Sequence, residues 1–158
     1  MALMVATPAL AEPVRFDVVA GGENVGWLLV DREGSQISLD YHVDNNGRGP
    51  KHLEQITLDS QNYPVNWSIK GTSLFGGAVD EHFERDAGFV RWTSQADGGE
   101  MPVTQGRLYV ANDTSPYSLV VYANALKGER DMAANAVPGG RVSLSHVRDI
   151  TLGEGQVK

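Results

Sequence analysis

The chain has 158 residues, no cysteine, and 13 Lys and Arg against 20 Asp and Glu, for a formal net charge of −7. A chain of that length buries about 70% of its unfolded surface, so it folds as one ordinary domain without disulfides or a structural metal. The acidic balance excludes nucleic acid as a main partner and a basic patch as a membrane anchor, while 41% hydrophobic residues exclude disorder.

Met1 to Ala11 (MALMVATPALA) is an apolar run ending in the small-x-small triplet Ala9-Leu10-Ala11, ahead of Glu12-Pro13. It reads as a truncated signal peptide, cleaved after Ala11, and predicts a periplasmic or secreted protein. No stretch reaches the length of a membrane span. Residues 12–152 then read as one β-rich domain, and 153–158 as the start of a linker toward a missing domain.

From Val14 the pattern has period two, broken by turn dipeptides. Strands are predicted over Val14 to Ala20, Val25 to Asp31 and Gln36 to Val43, where Ile37, Leu39, Tyr41 and Val43 share a face. Asp44 to Pro50 (DNNGRGP) is a loop. Further strands follow over Leu53 to Asp59, Pro64 to Gly71, Val79 to Arg85 and Phe89 to Ser94, the last two joined across Asp86-Ala87-Gly88. The spacing predicts a mainly β fold, an antiparallel meander forming a curved sheet, sandwich or open barrel, with 18 glycines supplying turns.

One helix is expected near residues 115–127. Thr114-Ser115-Pro116 offers an N-cap region, Leu119, Val120, Ala123 and Leu126 have helical spacing, and Gly128 stands at the C-cap. Val120-Val121-Tyr122 also suits a strand core. Glu129 to Gly140 reads as a linker and Arg141 to Leu152 as a closing strand.

Four histidines stand at 42, 52, 82 and 146, none at a spacing that puts two imidazoles on one metal. No metal site and no nucleophile elbow is predicted. Asp80, Glu81, His82 and Glu84 read as a solvated cluster, with Glu81 on the face opposite His82 and Glu84. The aromatic residues Trp27, Trp67, Phe83, Trp92, Tyr109 and Tyr117 suit one shared core. The loop Asn45-Asn46-Gly47-Arg48-Gly49-Pro50-Lys51 is the most singular stretch. Its glycines permit positive φ and its two cations stand out in an acidic chain, so Arg48, Lys51, Gly47 and Gly49 are candidates to bind an anion or a partner. The plainer alternative is a shaped connection whose Arg48 pairs with a neighbouring carboxylate.

Asp40-Tyr41-His42-Val43-Asp44-Asn45-Asn46-Gly47-Arg48-Gly49-Pro50-Lys51, with Glu54, Leu58-Asp59 and Pro64-Val65, resembles the N-terminal β-rich region of exported bacterial amidohydrolase-family proteins. So do Gly71-Thr72-Ser73, Trp92-Thr93-Ser94-Gln95-Ala96-Asp97, Pro138-Gly139-Gly140-Arg141 and Val147-Arg148-Asp149. The resemblance runs from about Phe16 to Leu152 and lies in loop and strand signatures. It implies a following (β/α)8 barrel whose histidines and aspartate hold a divalent metal such as zinc, and whose metal-activated water hydrolyses amide or related bonds. None of those ligands matches a residue here.

The expectation is an accessory N-terminal β-domain of a secreted metal-dependent amidohydrolase, non-catalytic by itself and with no cofactor of its own, whose partner is the barrel of the same protein. The alternative is a free-standing periplasmic ligand-binding or carrier module with a curved β-sheet around an apolar ligand. A third possibility is a small enzyme using His42, His52 and Arg48.

Overall fold

The computed structural model describes residues 12–146. The signal-peptide and linker readings, and the predicted strand beyond residue 146, lie outside those residues. Among the described residues the fold is mainly β, with one helix and no closed barrel. An eight-stranded antiparallel meander comprises β1 (Val14–Ala20), β2 (Glu23–Glu33), β3 (Gln36–Val43), β4 (Lys51–Leu58), β5 (Pro64–Thr72), β6 (Ala78–Arg85), β7 (Phe89–Thr93) and β8 (Gly98–Pro102), paired in chain order. A second sheet joins β9 (Leu108–Tyr109), β10 (Ala133–Val137) and β11 (Arg141–Ser143), with β10 between a parallel β9 and an antiparallel β11. The helix α1 (Ser118–Leu126) lies between β9 and β10 in the chain.

The period-two pattern sets one face of the meander. Leu28, Val30, Ile37, Leu39, Ile56, Trp67, Ile69, Phe83, Val90 and Trp92 point inward and pack with Val121 of α1 and Tyr109 of β9. Burying a large apolar side chain of this kind contributes about 2 kcal/mol. A second cluster, Tyr63, Leu108, Ala125, Leu126 and Ala134, fastens α1 to β9 and β10. Trp67, Phe83, Trp92 and Tyr109 thus share the main core as expected, whereas Trp27 lies half-exposed, stacked on His42.

The turn across Asp86 forms as its sequence suggests. The carboxylate accepts the amides of Gly88 and Phe89, and those bonds hold its pKa at about 2. Elsewhere the structure differs from the pattern. The segment read as a linker over 129–140 contains β10, and neither β8 nor β9 is signalled by alternation. The helix starts on Tyr117 without a side-chain cap and ends on Lys127 in right-handed conformation, so neither Ser115 nor Gly128 caps it as expected. Ser115 is drawn away by a buried carboxylate on β4.

Candidate functional site

The β3–β4 connection is a miniature hairpin. Asn45 and Arg48 exchange backbone hydrogen bonds of 2.7 and 3.2 Å. Between them Asn46 (φ 55°) and Gly47 (φ 76°) are both left-handed, the backbone that a tight hairpin turn needs. Gly49 answers two demands: its φ is 155°, and a Cβ there would lie 2.3 Å from the Val43 carbonyl oxygen. The amide of Gly47 donates to Asp44 Oδ1 at 2.8 Å, and that of Arg48 to Asn45. Those two amides are bonded within the loop and so are not free to converge on an anion. The Arg48 guanidinium has no hydrogen-bond or ion-pair partner among the described residues, so the expected pairing with a neighbouring strand is not made. Lys51 Nζ lies 3.9 Å from Asp44 Oδ2 on an exposed surface, a weak pair.

The β5–β6 connection forms the opposite wall. Ser73 and Gly77 are tied by a 2.8 Å hydrogen bond, and the Gly76 amide donates to the Ser73 carbonyl at 3.0 Å. That turn carries Leu74 and Phe75 at its apex, Phe75 being 83% exposed. Between the walls is a cleft of about 790 Å³ that brings together Gly47, Arg48, Gly49 and Lys51 with Leu74 and Phe75. Sequence reading found the cationic side of this cleft and missed the apolar side. The sign available was Leu74-Phe75 in a turn flanked by Gly76-Gly77.

Two carboxylates differ from the sequence reading: Glu54 was passed over, and Glu81, read as part of a solvated cluster, is inside because it shares the inward phase of Phe83 and Val79 on β6. Glu54 and Glu81 are fully buried on the inner face of the meander. Each is opposite Ile69 in register, on either side of it, which sets them two strands or about 10 Å apart. Glu54 accepts hydrogen bonds from Trp67 Nε1 (3.0 Å), the Thr114 hydroxyl (3.0 Å) and the Ser115 amide (2.6 Å). Glu81 accepts from the Tyr109 hydroxyl and the amides of Asn112 (2.8 Å) and Asp113 (3.0 Å). Together they pin the segment between β9 and α1 to the sheet. Burial pushes the Glu54 carboxyl up, but the His52 ring, the Ser115 amide and the Thr114 hydroxyl outweigh it and hold its pKa below the ordinary value. Burial, with the bond to Glu81, pushes the Tyr109 phenol upward.

His52 is also inside, with Nδ1 3.9 Å from Glu54 Oε1 and neither ring nitrogen hydrogen-bonded. In register Tyr41 faces His52 and His42 faces Lys51, which puts the two histidines on opposite faces of the sheet. The trio His42, His52 and Arg48 is therefore not one constellation. Among the described residues no three His, Asp or Glu side chains converge as a metal site requires, so the divalent metal implied by the resemblance has no ligand set here. No helix among them is long and apolar enough to cross a membrane.

A separate apolar groove of about 450 Å³ opens between the first strands and α1, walled by Phe16, Val18, Leu28, Tyr41, Tyr117 and Val120. Phe16 is half-exposed within it. No family model, curated protein or solved structure matches the chain.

Proposed function

We propose that the chain is a non-catalytic β-domain serving as the accessory part of an exported metal-dependent amidohydrolase, acting in the periplasm or outside the cell. Its partner in this reading is a barrel of the same protein, which would hold the divalent metal and perform the hydrolysis. The observation that carries the non-catalytic role is the use made of Glu54 and Glu81. Among the described residues these are the carboxylates best shielded from water, where general acid or base chemistry is most easily tuned. Both instead accept hydrogen bonds from the protein's own amides and hydroxyls. A carboxylate committed to three donors has little capacity left for a substrate proton.

The test is hydrolysis of an amide and ester panel by the purified chain, with and without added zinc. Rates at the uncatalysed background support the reading; a saturable rate above it overturns the reading. The apolar groove favours a second reading, a carrier of an apolar ligand held against the sheet. Saturable binding of a fluorescent fatty acid, lost in Phe16→Ser and Val120→Ser, would favour the carrier. Absence of saturable binding would exclude it.

A further inference from the structure

We propose that the cleft between the 44–50 and 73–77 loops binds a small organic carboxylate with an aromatic or aliphatic body. The carboxylate pairs with Arg48, Lys51 adds positive charge, and the body lies against Phe75 and Leu74. This site is independent of the accessory role above.

Turn apices normally take residues chosen for backbone shape or hydration, such as Pro, Asp, Asn and Gly. Here the apex holds Leu74 and Phe75, held outward by the hydrogen bonds between Ser73 and the two glycines. Nothing in the local backbone calls for either side chain. Arg48 supplies the complementary group. Arg15, Arg85, Arg91 and Arg107 each sit on a carboxylate of this acidic protein, whereas Arg48, like Arg32, Arg130 and Arg141, has none among the described residues, and of those four it is Arg48 that lines this cleft. An unengaged guanidinium and an unengaged aromatic ring line one concave space.

The shape narrows the ligand. A volume of about 790 Å³ falls in the range of small-molecule sites. A bare inorganic anion would leave Phe75 unused, and a neutral hydrocarbon would leave Arg48 unused. Phosphate is best held where several free amides converge, but the Gly47 and Arg48 amides are bonded inside the loop. A single guanidinium fork matches the two oxygens of a carboxylate. Asp44 already faces Lys51, which leaves Arg48 as the principal contact. Both walls are braced by their own backbone bonds, so binding requires little ordering.

The probe is 3-phenylpropionate, titrated into the intact chain and followed by amide chemical shifts. Comparison titrations use 3-phenylpropanamide, acetate and inorganic phosphate. Saturable shifts confined to residues 47–51 and 72–77 are expected, with affinity about 10-fold above each comparison compound. Arg48→Gln and Phe75→Ser, both on exposed side chains, should each weaken binding about 10-fold while leaving the remaining spectrum in place. Equal binding of the amide or of phosphate overturns the proposal. So do shifts spread over the molecule, or binding unchanged in Arg48→Gln. Shifts at these loops that depend on protein concentration without the probe would assign the cleft to a second copy, and would also overturn it.

Discussion

Glu54 and Trp67 show how single residues bind distant parts of this chain together. The carboxylate lies between His52 and Ile56 on the inner face of β4 and is held by donors from β5 and from the segment before α1. Removing its charge leaves buried donors with a poorer partner. Glu54→Gln is expected to cost about 2–3 kcal/mol in urea unfolding at neutral pH. Its pKa is lowered from 4.5, and that of Asp59, beside Arg85, from 3.8. A depressed folded-state pKa stabilises the fold above the unfolded-state value and loses that contribution as pH falls through the folded value. Stability should therefore fall on acidification below about pH 4.5, and the fall should be shallower in Glu54→Gln. Half of this was legible: Glu54 shares the phase of Ile56 and Leu58, which marks it as inward. Its partners Thr114 and Ser115 were not, because their sequence separation hides the contact and helix capping offered a competing local role.

At the scale of elements, β1 to β7 were legible because alternating side chains and short turns specify strands and their pairing. β8 was not, since Gly98-Gly99-Glu100-Met101-Pro102 has poor strand propensity. It forms against the edge of β7, where Gly99 lies beneath Trp92 and a Cβ would come within 2.7 Å of the indole. β10, built on Ala-Ala-Asn-Ala-Val, likewise owes its form to pairing with β9 and β11. Two substitutions check these accounts. Leu108→Ala, in the two-residue β9, should lose about 3 kcal/mol by thermal or urea unfolding, as a fully buried core leucine does. Gly49→Ala should lose about 2 kcal/mol or more, because its φ and its approach to Val43 both exclude a side chain. A loss within about 0.5 kcal/mol would mean that the 44–50 loop adapts freely. The candidate site shows the same division: the loop's cations stood out against an acidic composition, while the cleft's far wall depends on a fold that brings two connections side by side.

For the molecule as a whole, the open sheet is closed on its inner face by α1, Tyr109 and the segment between them. The two internal carboxylates are the fasteners of that closure, each engaged with the protein's own donors, so the proposed accessory role, the proposed carboxylate site and the apolar groove all concern the outside of the structure. Amide hydrogen exchange tests that claim most directly. In the wild-type chain the amides of Asn112, Asp113 and Ser115 should exchange slowly, as amides held by buried acceptors do. In Glu81→Gln the first two should accelerate by about 10-fold or more, and in Glu54→Gln the third, while β3 to β5 stay protected. Rapid exchange of these amides in the wild type, or protection unchanged in both variants, would contradict the account.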